Sequence, residues 1–189
     1  ITDHGNMFGV KEFLKFAAKH ESVKPIIGCE VYVTRHYDHH LRDNEHRKYY
    51  HLILLAKNST GYHNLIKLVS RAWTDGFYHH PRTDKYDIEK YHEGIICCSA
   101  CIGGEVPRYI LAGENDRADE TVRWFKDLFG DDYYIEIQRH KATVEKANHE
   151  TYELQTQANA ELIRLARKYD IKVICTNDVH FLEEENADA

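Results

Sequence analysis

The sequence has no long apolar run, and this absence excludes one class of protein at once. No stretch approaches the ~18 consecutive apolar residues that a membrane-spanning helix needs. A secretory signal peptide starts with a basic segment followed by an apolar segment, and residues 1–4 show neither feature. The 189 residues are otherwise ordinary for a globular protein, being 42% hydrophobic and 30% charged. They are enough for one domain with its own core.

The chain also lacks an excess of basic residues, since 25 Lys and Arg stand against 31 Asp and Glu, a net charge of -6. Such a balance provides no global attraction to duplex DNA, so any contact with nucleic acid has to be local or directed at a strand end held by metal. The five cysteines are an odd number and include the adjacent Cys97 and Cys98. They do not form the pattern of a disulfide framework, and they indicate reduced thiols in the cytosol.

Both ends of the sequence resemble parts of incomplete secondary-structure elements. Residue 1 is not Met, residues 1–4 resemble the end of a strand, and residues 183–189 resemble the start of a helix. No internal repeat and no low-complexity linker divides the chain. We therefore expect residues 1–189 to be a single domain that is truncated at both ends within a longer protein.

Strand patterns and helix patterns alternate along the chain. Continuous apolar runs predict strands at 26–33, 49–56, 94–101, 133–138 and 173–176. Helical periodicity predicts helices from Phe8 to Ala17 and at 60–74, 105–111, 116–129 and 144–168. Runs without polar alternation are typical of parallel strands buried on both faces. The sequence thus predicts an α/β fold of repeated βα units in a parallel sheet or barrel, with its site beyond the carboxyl ends of the strands.

The last predicted strand leads into Asn177, Asp178 and His180. Asn-Asp is a turn signal, and two side chains that are two residues apart point to the same side if the strand direction persists. A carboxylate and an imidazole at a strand end can hold a divalent metal. A capping Asp and a surface His give the same pattern. Asp3 and His4 repeat the combination near the start of the chain.

Three further residues extend this set. Glu30 stands in the middle of a predicted strand, where Glu is rare and needs a partner if it is buried. His51 opens the next strand, and Cys101 ends another, although a lone Cys is usually a small hydrophobe. The candidate metal ligands are Asp3, His4, Glu30, His51, Cys101, Asp178 and His180. Seven groups exceed one tetrahedral ion and indicate two or three zinc, manganese or iron ions, which can activate water and neutralise a phosphate.

Two other segments and one His carry functional groups. Residues 35–48 are charged and contain four histidines, which favours an exposed loop over a second metal site. Residues 77–92 are aromatic and basic, a composition that can grip single-stranded nucleic acid, with a solvated loop as the alternative. His140 follows a predicted strand and is either a near-site residue or a surface His. No side chain is identified as catalytic or as nucleic-acid-binding.

The order and spacing of these motifs resemble the PHP (polymerase and histidinol phosphatase) domain, in the form found at the N-terminus of bacterial DNA polymerase III alpha subunits. The resemblance runs through nearly the whole chain. It is carried by Thr2-Asp3-His4-Gly5-Asn6, the segments 24–30 and 51–58, Gly61-Tyr62, Asn64-Leu65, Ser99-Ala100-Cys101 and Thr176-Asn177-Asp178-Val179-His180. It implies a distorted (βα)7 barrel whose first strand, with a His-x-His motif, is missing from this chain.

The resemblance also implies a function. The seven candidate residues would bind a cluster of two or three metal ions that supports phosphoesterase chemistry, which in some polymerases is a 3′→5′ exonuclease for proofreading. The alternative is a metal-stabilised structural domain that supports the polymerase and docks a separate proofreading exonuclease. A small-molecule phosphatase is a third possibility. The implied partners are DNA and the rest of a polymerase chain in the bacterial cytoplasm, and the polymerase active site lies outside this sequence.

Overall fold

The computed structural model describes residues 1–20, 22–141 and 150–180, and these form a mixed α/β structure. The strands are β1 Gly28–Thr34, β2 Tyr49–Ala56, β3 Phe77–Tyr78, β4 His80–Thr83, β5 Ile95–Cys98, β6 Tyr133–Ile137 and β7 Lys172–Cys175. The helices are α1 Val10–Ala17, α2 Ser59–Thr74, α3 Lys85–Tyr91, α4 Glu105–Leu111, α5 Asn115–Phe129 and α6 Glu150–Lys168, with a 3-10 turn at Gly130–Asp132. None of the helices in this part of the chain combines the length and apolar content of a membrane span.

The strands lie in the order β3-β4-β1-β2-β5-β6-β7. β2 runs antiparallel to both of its neighbours, with Leu52 opposite Val31 and Leu54 opposite Cys97. The pairs β1·β4, β5·β6 and β6·β7 are parallel. The prediction of a wholly parallel sheet is therefore wrong at β2. Residues 35–48 contain no crossover helix in the structure, and a parallel neighbour needs such a crossover, so the chain turns back beside β1.

The first residues extend the sheet along the free part of β1. The amide of Gly28 donates to the Ile1 carbonyl at 3.0 Å, and the amide of Glu30 donates to the Asp3 carbonyl at 3.1 Å. The amide of Gly5 in turn donates to the Glu30 carbonyl at 2.8 Å. This pairing holds Asp3 and His4 beside Glu30. Within the described residues the sheet is not closed, because β3 and β7 are its two ends.

The core lies between the sheet and helices α2, α4, α5 and α6. Leu54, Leu65, Phe125, Ile135 and Leu165 each expose 2% of their surface or less. Each such burial stabilises the fold by roughly 1.5–3 kcal/mol. The start of α2 is fixed by Asn58, whose side chain accepts from the amide of Gly61 at 3.0 Å.

Two apolar patterns are more exposed than predicted. In α1 only Val10 and Ala17 are buried, whereas Phe8 is 77% and Phe16 is 56% exposed. β7 was predicted to be a buried strand, but it is an edge strand and its Val173 is 39% exposed. In both places the sequence pattern predicts a buried apolar face, but the described residues leave that face exposed. The segment 142–149, where the last predicted helix begins, lies outside the described residues.

One buried side chain, Arg82, connects the two polar segments 35–48 and 77–92. Arg82 is fully buried. Its guanidinium donates to the carbonyls of Gly76, His39, Leu41 and His46. The segment 35–48 is an exposed loop, as predicted, apart from His39, which is 2% exposed, and His46, which is half-buried. Residues 77–91 form β3, β4 and α3, so Arg82 cannot contribute to a nucleic-acid surface there.

Candidate metal centre

A cavity of about 530 Å³ opens where the first residues, β1, β2, β5, β6 and the end of β7 meet. Six of the seven predicted ligands line it: Asp3, His4, Glu30, Cys101, Asp178 and His180. The seventh, His51, contacts Glu30 from the neighbouring strand β2. The structure thus brings together side chains that are up to about 175 positions apart in the chain.

Glu30 is the central group of this cavity. It is 3% exposed, and its Oε1 lies 2.6 Å from Nδ1 of His51 and 3.4 Å from Nε2 of His4. The Sγ atom of Cys101 lies 3.6 Å from the same His51 nitrogen. A buried strand carboxylate needs such partners, and here they are two imidazoles and a thiol. These are groups that bind zinc, manganese or iron.

The charges of Glu30 and His51 stabilise each other. Burial opposes ionisation of Glu30, but the hydrogen bond from His51 and the nearby imidazoles outweigh it and lower the pKa of the carboxyl. Burial likewise disfavours the charged form of His51, but its contacts with Cys101 and Glu30 raise its pKa to about 10. A metal ion in this place would replace the proton on His51 as the positive partner of Glu30, since imidazole binds metals in its neutral form.

Asp178 and His180 approach the cavity from the end of β7. Both are exposed, and Asp178 has a φ of 50°, which is uncommon outside glycine. Nδ1 of His180 lies 2.8 Å from the Asp178 carbonyl, which leaves Nε2 as the nitrogen available to a ligand. The His180 and His4 rings meet edge to face at 5.1 Å between centroids.

Asp3 has a structural contact in addition to its place in the cavity. Its Oδ2 accepts from the amide of Gly9 at 3.0 Å, just before the start of α1. Gly9 packs closely against this carboxylate, since a Cβ atom would lie 2.8 Å from the same oxygen and would displace it. The contact fixes the Asp3 carboxylate against the helix start.

The sequence reasoning missed Glu136, which also lines the cavity. Glu136 is 5% exposed, and its carboxylate accepts from the Ala100 amide at 2.9 Å and the Thr176 hydroxyl at 2.7 Å. Burial raises its pKa, and the charges of Asp178 and Glu30 add to this effect. The signal was present in the sequence, since Glu136 interrupts a strand in the same way as Glu30.

His140 lies outside the lining of this cavity. Its amide donates to Oε1 of Gln155 at 2.7 Å, and its Nδ1 lies 3.0 Å from Nε2 of the same side chain. Gln155 belongs to α6 and is buried. The structure therefore places His140 against a helix behind the cavity rather than among the candidate ligands.

A second group of possible ligands lies around His39. Its Nδ1 is 2.7 Å from Oδ2 of Asp84 and 3.8 Å from Oδ2 of Asp87. Among the described residues, this is the only group of His, Cys, Asp and Glu that brings three donor atoms within 4.8 Å of one another. Among the seven predicted ligands, close pairs such as Glu30 and His51 occur, but no three donor atoms meet this criterion.

The carboxylates near His39 are already engaged, however. Asp84 accepts from the amide of Asp87 at 2.9 Å and caps α3. Asp87 accepts from Nε of Arg71 at 2.8 Å. The hydrogen bond with Asp84 raises the pKa of His39 despite its burial. These contacts describe a buried network of charged groups that joins the segment 35–48 to α2 and α3.

Comparison with known proteins identifies the family of the chain. The model of the PHP domain family matches residues 1–140. DNA polymerase III alpha subunits are similar over the whole chain or nearly so, with 44% identity over 100% of the chain in Borreliella burgdorferi, 42% over 99% in Treponema pallidum and 40% over 100% in Thermus aquaticus. The chain spans only 15–16% of the length of these relatives. Because the family model covers most of the sequence, the chain belongs to the PHP domain family.

Proposed function

We propose that this chain is the PHP domain of a replicative DNA polymerase and that its cavity hydrolyses phosphodiester bonds at a DNA 3′ end with two or three divalent metal ions. The observation that carries the proposal is the convergence of six separate segments on one cavity around the buried Glu30. A buried carboxylate destabilises the fold unless it is paired. Metal binding by Glu30 would explain why a carboxylate is kept beside His4 and His51. The similarity to DNA polymerase III alpha subunits supports the replicative context.

The residues that would hold the ions are Asp3, His4, Glu30, His51, Cys101, Asp178 and His180. Divalent ions bound there would activate a water molecule and neutralise charge on the phosphate. Glu30 would be the central ligand, because Nε2 of His4 and Nδ1 of His51 both lie close to its Oε1 atom. The imidazoles are suited to terminal positions, each binding through one nitrogen.

Other residues of the chain would orient these groups. Glu136 accepts hydrogen bonds from Ala100 and Thr176, and so ties the residue before Cys101 to the segment that leads to Asp178. The apolar side chains of Ile53, Leu55 and Ile174 line the same cavity. They form an apolar floor beside the charged groups, and charge interactions are stronger next to apolar protein than in bulk water.

We also propose that the open sheet is completed into a distorted (βα)7 barrel by a further strand between residues 1–5 and β7. The rings of His4 and His180 lie 5.1 Å apart, so the sheet already curls around the cavity. Three of the four residues of β7 are exposed, as in an edge strand that has a place for a neighbour.

Metal content tests the site directly. The double variant Asp178→Ala/His180→Ala removes two candidate ligands, and Asp38→Ala/His40→Ala removes an exposed Asp-x-His pair of the same spacing from another loop. We expect two or three metal equivalents by elemental analysis in the chain and in the control, and fewer in the Asp178→Ala/His180→Ala variant. Both proteins are then assayed for release of nucleotides from single-stranded DNA with manganese or zinc. No bound metal in the chain, or in a longer chain with the proposed closing strand, would show that the proposal is wrong.

A structural domain that supports the polymerase and docks a separate exonuclease is the second candidate. It is favoured by one observation: the cavity joins the beginning of the chain, at Asp3 and His4, to its end, at Asp178 and His180. Metal ions there would hold the fold together. Bound metal without nuclease activity, together with a lower unfolding temperature after chelation, would favour this role over catalysis.

A further inference from the structure

A groove of about 490 Å³ lies beside the candidate metal centre, and its charge is opposite to that of the chain as a whole. It is formed by the end of β1, the start of β2, the β3–β4 turn and α4. Arg35, Arg47, Lys48 and Arg108 line it, and no described Asp or Glu does. The whole chain carries a net charge of -6, so four unopposed cations on one concave surface are a local feature of this groove.

Within the part of the chain that the structure describes, the four cations have no carboxylate partner. Arg71, Arg117 and Arg164, by contrast, all form an ion pair with a carboxylate. All four are exposed, and the guanidinium of Arg35 lies over the Tyr50 ring at 4.9 Å. Like charges held close together repel one another and attract a polyanion from solution. The groove is therefore suited to a ligand with several negative charges.

Flat rings form one wall of the groove. Tyr49 stacks on His51 with 5.8 Å between the centroids and 12° between the planes. It also meets His80 edge to face at 4.9 Å. Cations alternating with accessible rings are the combination by which proteins hold the backbone and bases of single-stranded nucleic acid.

His51 connects the groove to the candidate metal centre. Its backbone amide donates to the Gly103 carbonyl at 3.0 Å on the groove side. Its Nδ1 faces Glu30 in the metal cavity at 2.6 Å. Gly103 packs so closely against this ring that a Cβ atom on it would lie 3.0 Å from Nδ1. A strand bound in the groove would therefore pass next to the cavity.

We propose that this basic groove, defined by Arg35, Arg47, Lys48 and Arg108, binds single-stranded DNA through its phosphates. The inference rests on the proposed function for the direction of the strand, with its 3′ end at the metal cavity. Binding itself requires no metal, so it can be measured when the metal site is empty.

The test is the binding of a short fluorescein-labelled oligothymidylate to the chain in EDTA, followed by fluorescence anisotropy over a series of salt concentrations. The groove variant is Arg47→Gln/Lys48→Gln/Arg108→Gln. The control variant Lys67→Gln/Lys90→Gln/Arg167→Gln changes the net charge equally at exposed positions elsewhere. We expect the groove variant to bind roughly tenfold more weakly or worse, and the slope of log K against log salt to fall by about 2, at ~0.7 per single-strand phosphate contact. The control should keep the slope of the unmodified chain.

Two results would overturn the inference. One is a groove variant that binds the oligonucleotide with the affinity and salt slope of the control. The other is displacement of the labelled DNA by polyglutamate as effectively as by unlabelled oligothymidylate, which would indicate an acidic protein as the ligand. Groove-dependent binding without nuclease activity in manganese or zinc would leave this inference standing while the proposed hydrolysis fails. The two proposals are therefore tested separately.

Discussion

Replacing Arg82 with Met should destabilise the fold more than any other change of a charged side chain in the segment from 35 to 92. The guanidinium is fully buried and donates to four backbone carbonyls. Burial lowers its pKa, and the hydrogen bonds to the carbonyls offset the cost of removing the charge from water. Met fills a similar volume but leaves the acceptors without a donor.

The expected loss can be worked out from those contacts. An unsatisfied buried acceptor costs about 1–3 kcal/mol. Two of the four acceptors are the carbonyls of Leu41 and His46, whose residues are not fully buried, so water can replace part of the loss there. Removal of a buried charge also recovers part of its desolvation cost. We expect a net destabilisation of about 3 kcal/mol, which lowers the unfolding temperature by roughly 6–12 °C in a chain of this size.

Urea unfolding followed by circular dichroism measures this difference, with Arg42→Met as the matched control. Arg42 belongs to the same segment, but it is exposed and donates to a single carbonyl, that of Asp75, at 3.3 Å. Its replacement should cost less than about 0.5 kcal/mol. Hydrogen exchange should also accelerate around His39 in the Arg82→Met variant. Equal stabilities for the two variants would refute the reasoning that Arg82 organises this segment.

Two further predictions concern His39 and the glycines. The folded-state pKa of His39 is raised by Asp84, so its contribution is fully present below its unfolded pKa of about 6.5 and is lost as the pH rises through the higher folded value. Urea unfolding across this range should show a decline that His39→Gln lacks, and parallel pH profiles would contradict it. Gly61→Ala should cost about 3 kcal/mol, because its Cβ would lie 1.7 Å from the Gly94 carbonyl oxygen. Gly113→Ala should cost only about 1 kcal/mol, since it meets open space and is strained only by its φ of +74°; equal thermal shifts for the two would be incompatible with this difference.

The sequence located most helices and strands because their signals are local. β2 and α4 have the predicted bounds, and α2 and α5 each begin one residue earlier than predicted. Asn58 caps α2 through its side chain, so this boundary is determined by neighbouring residues. The direction of β2 could not be predicted in the same way. A continuous apolar run fits either a parallel or an antiparallel strand, and only the connection through 35–48 decides between them.

The sequence identified those residues of the candidate site that lie within a predicted strand or at its end. It did not predict the distances between them. Glu30 and His51 are neighbours because β1 and β2 pair in a register that places Tyr32 opposite His51. That register depends on the packing of the whole sheet. The buried state of His39 was hidden for a similar reason, because its carbonyl is bound by Arg82, 43 positions later. A charged, His-rich composition describes the segment, but a single distant donor decides how much of it is buried.

The contact between His4 and His180 at 5.1 Å has a consequence for chain entropy. A metal ion shared by these two side chains would act as a reversible cross-link that closes a loop of about 175 residues. In the chain-entropy treatment of cross-links, a loop of this length restricts the unfolded ensemble by about 5 kcal/mol. Metal binding would therefore stabilise the whole fold between His4 and His180, and loss of the ion would remove this stabilisation from both segments at once.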